Sequence, residues 1–205
     1  MKSATIILTA LLICGFTLVG WKSLAQQRAR YARQQSGTHR LANSMQAKLD
    51  HIERNAERSH PDQTPTVMSE EEVNDYLASG RVKMPQGVKK VRLQGHSGMV
   101  DAFLTVDFDE IREHQRSMNP LLGVFSGTHD VAVEADAVGT ASQGKVHVRT
   151  VSVDDVEVPR MALEYFVEKY ITTKYPNIGM DSRFQLPDKI NTAIVGYHKL
   201  TVIQK

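Results

Sequence analysis

The sequence predicts an α+β protein: a curled, mostly antiparallel β-sheet packed on one or two amphipathic helices, preceded by an N-terminal transmembrane helix and a helical stalk. Three observations carry this. An apolar run without a charge, ATIILTALLICGFTLVGW, occupies residues 4–21. Apolar residues recur at three-four spacing, the helical period, at 42–56 and again at 163–171. From Val82 onward most of the chain alternates with period two, the mark of strands with one buried face. The expected division is therefore 1–25 as anchor or signal peptide, 26–66 as helical stalk with a proline-containing linker, and 67–205 as the α+β domain.

At ~1.5 Å per helical residue the opening run approaches the ~30 Å thickness of a hydrocarbon core. It predicts contact with a membrane through residues 4–21. Two readings of its fate stay open. Lys2 and the small-x-small triplet Ser23-Leu24-Ala25 before Gln26 suit a cleaved signal peptide. The bulky Trp21 and Lys22, and the length of the run, suit a retained anchor. The flank that follows carries Lys22, Arg28, Arg30, Arg33 and Arg40 with no acid among them, which by the positive-inside rule favours the cytoplasmic side.

Composition narrows the function classes. A net charge of +2 excludes nucleic-acid binding by charge alone. The single cysteine, Cys14, lies inside the apolar run, so the chain has neither an intrachain disulfide framework nor a cysteine-based zinc site.

Residues 26–60 read as helix in two pieces, interrupted at Ser36-Gly37. The second carries Ala42, Met45, Leu49, Ile52 and Ala56 on one stripe. That stripe either docks on the domain or forms a short coiled-coil seam, a route to self-association through 42–56. The arginines of the first piece suit anionic headgroups as well as water. Two prolines in HPDQTPT, 60–66, forbid a continuing helix. Ser69 with Glu72 three residues on predicts a capping box, Met68 a staple to Val73, and Gly80 a helix end.

Gly87–Gln94 is a strand, Gly95–Gly98 a hairpin turn, and Val100, Ala102, Leu104, Val106 and Phe108 one face of the next strand. Residues 109–116 form a short polar helix or turn. An apolar cluster, Leu121, Leu122, Val124 and Phe125, then stands where a loop is expected. Its two readings are a buried anchor and an exposed lip that meets lipid.

Val131, Val133, Ala135 and Ala137 face one way along 128–138, and Gln143-Gly144 turns the chain. Residues 145–158 change phase twice, so that strand is bulged or buried on both sides. Pro159 suits the first position of a helix whose stripe is Leu163, Phe166, Val167, Tyr170 and Ile171. Two more strands follow, 180–186 and 190–203, the last bent at Gly196.

Motifs that carry chemistry are wanting. No Gly-rich phosphate loop, G-x-S-x-G elbow or H-E-x-x-H is present. The eight histidines are scattered at 39, 51, 60, 96, 114, 129, 147 and 198, and no pair has helical ligand spacing. His129-Asp130 and His147 could converge across neighbouring strands, though a polar sheet face explains them. Asp154, Asp155 and Glu157 read as an acidic turn. Neither a metal nor a cofactor is expected, and no catalytic residue is assigned.

The order of elements carries a resemblance: S-E-E-E-V-N-x-Y-L at 69–77, V-S-V-D-D-V-E-V-P at 151–159 running into a helix, and F-Q-L-P-D-K-I-N-T-A-I-V-G-Y-H-K-L-T-V at 184–202. It resembles the LmeA-like and YpmS-like bacterial lipid-binding proteins, related in form to AsmA-type and TULIP-like domains. The likeness spans most of 67–205 and rests on hydrophobic pattern with a few fixed positions, Asn74 and Pro159 among them. It implies a helix cradled by a curled sheet, a single pass in the inner (cytoplasmic) membrane and a domain outside the cytoplasm, against the charge of the flank. The many charged outward strand residues and the polar stalk depart from the family's pattern.

The resulting expectation is a membrane-anchored, non-catalytic domain that binds phospholipid or another acyl chain. Its groove would be lined by Leu104, Val106, Phe108, Val131, Val133, Leu163, Phe166, Val167 and Tyr170, with Leu121, Leu122, Val124 and Phe125 at the mouth. The competing expectation is a membrane-tethered structural or adaptor protein acting through its stalk helix or sheet. An empty apolar interior favours the first, and a filled one the second.

Overall fold

The computed structural model describes residues 28–113, 126–172 and 178–205, the side chains of 28–39, 112–113 and 169–171 excepted. The apolar run 4–21, the lip Leu121, Leu122, Val124 and Phe125, and the side chains of Tyr170 and Ile171 lie outside the described residues. Among those described, no helix is long and apolar enough to cross a membrane.

The first helix, α1 (Arg28–Ala56), is continuous. It passes through Ser36-Gly37, where the sequence predicts a break. A mid-helix glycine costs only about 1 kcal/mol relative to alanine. Tertiary burial of the second half outweighs that. Ala42, Met45, Leu49 and Ile52 are 0–3% exposed and belong to the main hydrophobic core. Of the two arrangements open for this stripe, docking on the domain is the one found within the chain. Residues 42–52 of the segment read as a stalk thus pack in one core with residues of 67–205.

After the proline linker comes a strand the sequence did not signal, β1 (Thr66–Ser69), paired antiparallel with β9 (Lys199–Gln204). Four residues abutting a helix cap leave too short a pattern to read. The inward Met68, taken for a staple, is a strand residue 1% exposed. Helix α2 (Glu70–Ala78) has the predicted capping box: the Ser69 hydroxyl accepts the Glu72 N–H at 3.2 Å, and the Glu72 carboxylate accepts the Ser69 N–H at 2.8 Å. Gly80, at φ +75°, follows its C-terminus as expected.

Strands β2 (Val88–His96) and β3 (Met99–Asp107) form the predicted hairpin, turning at Ser97-Gly98. Phe108 does not extend β3. The Asp107 carboxylate accepts the N–H groups of Asp109 and Glu110, at 3.1 and 3.2 Å, and so caps the short helix α3 (Phe108–Glu113). Phe108 is buried all the same.

Strand β4 (Thr128–Thr140) organises the open sheet. Along one edge it pairs first with β3 and then, at Val138 and Gly139, with β8 (Ile190–Gly196). Its other edge takes β5 (Gln143–Val153), whose far edge takes β6 (Val156–Glu157) and β7 (Asp181–Gln185). The main path is β1-β9-β8-β4-β3-β2, and every pairing is antiparallel. The expected final strand is the hairpin β8–β9, turning at Tyr197-His198.

The double phase change of 145–158 has two separate causes. Arg149 is an extra residue between the pairs Glu134–Thr150 and Ala135–Val148, a bulge that returns Val151 and Val153 to the face of Val146 and Val148. The second is a tight turn at Asp154-Asp155, both at positive φ, which ends β5. The turn expected at Gln143-Gly144 falls at Ala141-Ser142, also at positive φ. Gly144 is glycine for space: a Cβ there would stand 2.4 Å from the Phe184 ring.

Helix α4 (Arg160–Phe166) is capped by the Pro159 backbone rather than opened by it, and continues as a π-helical turn, Val167–Thr172. The core runs between the inner face of the sheet and α1, α2 and α3. Leu163 of α4 is buried but stands apart from that cluster.

Candidate functional site

The predicted groove residues that are described fall in different surroundings. Leu104, Val106 and Phe108 are buried members of the main core, and Val131 and Val133 are half-buried and packed against it. Leu163 is buried elsewhere, Phe166 and Val167 are half-buried, and the Tyr170 side chain is not described. The core that holds Leu104, Val106 and Phe108 also takes in side chains of the protein's own α1 and α2. The signal for this was present in the Ala42–Ile52 stripe, one of whose two readings was docking on the domain.

Polar side chains border this core. Glu72, 6% exposed, receives Lys48 Nζ on both oxygens, at 2.6 and 2.7 Å, and the Ser44 hydroxyl at 2.5 Å. Burial pushes its carboxyl up, but these donors, the Ser69 N–H and the lysine charge together hold it below the usual range. One capping residue thereby ties α2 to α1. At the other end of α1, Asn55 donates to the Gln204 side-chain oxygen and to the Asp62 carbonyl, both at 2.8 Å. Gln204 donates to the carbonyls of Ile52 and Asp188. Asn74 donates to the Leu93 carbonyl at 2.8 Å and accepts the Leu93 N–H at 2.7 Å, so one helix residue stands in for a strand beside the edge strand β2. The asparagine that carried part of the resemblance therefore has a structural role.

Four histidines near the surface, at 96, 129, 147 and 198, each lie beside a carboxylate. At the meeting hairpin tips, Gly98 N–H donates to Val195 O and His198 N–H to Gly95 O. Glu70 closes this junction, accepting the Gly95 N–H at 2.9 Å with His198 Nδ1 at 2.8 Å. Burial raises the Glu70 carboxyl, but these two donors outweigh it and leave it lowered. Tyr197, 67% exposed, stands edge-on to His96 and to His198. His129 has Asp154 against Nδ1 at 2.5 Å and the Ser126 carbonyl against Nε2 at 3.1 Å. Two acceptors on one ring call for the imidazolium, and the Asp154 hydrogen bond raises its pKa accordingly. His147 pairs with Asp181 at 2.6 Å. His129 and His147 thus each bind a separate aspartate rather than converging. Among the described residues no group of three or more His, Cys, Asp or Glu side chains is placed to hold a metal ion.

On the outer face, away from α1, a shallow open groove of about 250 Å3 lies over β4, β5 and β7. Its lining includes Val138, Lys145, Arg183, Asp136, His147 and Asp181. The apolar lip is not placed beside any of these sites, since it lies outside the described residues. Comparison of the chain with protein-family models, with curated proteins and with solved structures gave no match.

Proposed function

We propose that this chain is a membrane-tethered, non-catalytic structural or adaptor domain, anchored through residues 4–21 and working through the surface of a filled fold. The observation that carries the reading is the burial of Ala42, Met45, Leu49 and Ile52 against the inner face of the sheet. A helix of the chain itself supplies part of that core, which supports a reading with no ligand inside it. Exposed apolar side chains lie at two other places, Tyr197 at the hairpin tips and Val156 and Met161 around α4. Such groups, within a polar surround, suit protein contacts.

The test is native mass spectrometry of the full chain purified in mild detergent, with photo-crosslinkers placed at Tyr197 and Met161 in cells. The reading expects no stoichiometric lipid and one discrete crosslinked partner. A lipid bound one to one overturns it. One observation favours the lipid reading as the second: Leu163 is buried outside the main core, with Val156 and Met161 exposed close to it in sequence. An acyl chain would lie there, beside α4, in an extracytoplasmic domain of the kind the resemblance implies. Uptake of a fluorescent fatty acid that fails in Leu163→Asp would support that alternative.

A further inference from the structure

The outer face contains a row of six residues in direct register across six strands: Val67, Thr201, Ile194, Val138, Lys145 and Arg183. Directly opposed residues share a face. Val67, Ile194 and Val138 are 44–47% exposed, which makes one half of the row apolar and open to water. The last two positions of the row are cations side by side. Like charges directly opposite each other on neighbouring strands repel. Nearby carboxylates are committed elsewhere: Asp136 to Arg149 at 2.7 Å, and Asp181 to His147. Among the described residues, the side chains of Lys145 and Arg183 have no ion pair or hydrogen bond, whereas that of Arg149 has both. The groove of about 250 Å3 opens over this junction of apolar and cationic surface.

We infer that the groove over Val138, Lys145 and Arg183 binds a soluble organic anion: a phosphate or carboxylate held between the two cations, joined to a short apolar body lying on Val138 and Ile194. The anion relieves the repulsion across β5–β7, and the guanidinium offers a planar pair of donors to its oxygens. The apolar body covers side chains that water otherwise meets. This site is independent of the filled interior and of any partner at the hairpin tips.

The test uses the full chain in nanodiscs of zwitterionic lipid, with butyl phosphate as probe. Limiting acetic anhydride labels lysines, and peptide mass spectrometry reads Lys145 against the exposed Lys205. At twice the dissociation constant the labelling of Lys145 should slow by about threefold, since only the unbound third reacts. Inorganic phosphate should require a higher concentration, butanol should not protect, and Lys205 should be unchanged. Arg183→Gln should abolish protection. Val138→Ser, which leaves both cations in place, should erase the preference for butyl over inorganic phosphate. Equal protection by the two phosphates would mean an adventitious ion only and overturns the inference. So does the absence of protection, and so does protection by anionic vesicles without protection by butyl phosphate.

Discussion

Replacing Glu72 by Gln tests how α1 is held to α2. The side chain keeps its size and loses its charge. In the native protein the carboxylate takes two contacts from Lys48 Nζ, one from the Ser44 hydroxyl and one from the Ser69 N–H. Breaking a sealed ion pair costs ~3–5 kcal/mol, because the surviving charge is stranded. Here the Lys48 side chain is 31% exposed and can turn to water. The glutamine oxygen can also still accept the Ser69 N–H. The expected loss is therefore about 2–3 kcal/mol, the range of one or two charge-assisted hydrogen bonds. Urea unfolding of the full chain reads this as a midpoint about 1 M lower at unchanged slope, for slopes of ~1–3 kcal/mol per M. The sign with pH follows from the lowered Glu72 carboxyl. Its contribution is present above the unfolded value of ~4.3 and is lost as pH falls through the lower folded value. The gap between wild type and Glu72→Gln should accordingly close in acid. A loss under about 0.5 kcal/mol at pH 7, within the range of surface substitutions, would refute the reasoning. A gap that widens in acid would refute it as well.

Other outcomes follow from the same contacts. Gln204→Leu removes the hydrogen bonds to Ile52, Asp188 and Asn55, and should cost about 2–3 kcal/mol in the same unfolding assay. Asn74→Ala uncovers the Leu93 edge of β2 and should cost about 1–2 kcal/mol, with faster hydrogen exchange at the Leu93 amide. Gly144→Ala drives a methyl into the Phe184 ring and should destabilise by about 1–3 kcal/mol, and Phe184→Ala should relieve part of that strain in the double variant. The His129–Asp154 contact binds the β5–β6 turn to β4. Because the His129 pKa is raised, its stabilisation is full below ~6.5 and is lost as pH rises through the folded value. The Asp130 amide, bonded to Asp154, should lose protection from exchange over that rise, and His129→Gln should remove the pH dependence.

The parts of the fold legible in the sequence were those with local physics. The Ser69–Glu72 capping box, the Gly98 hairpin and the alternation of Val100 to Val106 each depend on neighbours a few residues away, and each is present. What misled was meaning that only distant contacts supply. Gly144 looks like a turn residue, but its glycine answers to Phe184, forty positions along the chain. Arg149 cannot be seen as a bulge until β4 is laid beside it. A stripe from Ala42 to Ile52 reads the same whether it meets another copy or its own sheet; the arbiter is Gln204, at the far end of the chain, which bonds Asn55 and Ile52. The outer groove was invisible for a similar reason. Lys145 and Arg183 are unremarkable in sequence, and only the β5–β7 register sets them opposite one another.

The central claim is that the α1 stripe is the protein's own core. Compared side by side, a chain beginning at Thr38 and one beginning at Thr66 test it most directly, by urea unfolding and by amide exchange in β9. The first should unfold cooperatively with Val202 and Gln204 protected. The second loses Met45, Leu49 and Ile52, each worth about 2–5 kcal/mol when truncated alone, against a total stability of ~5–15 kcal/mol, and should show no cooperative transition. A Thr66 chain that unfolds cooperatively, with β9 as well protected as in the longer chain, would contradict the account.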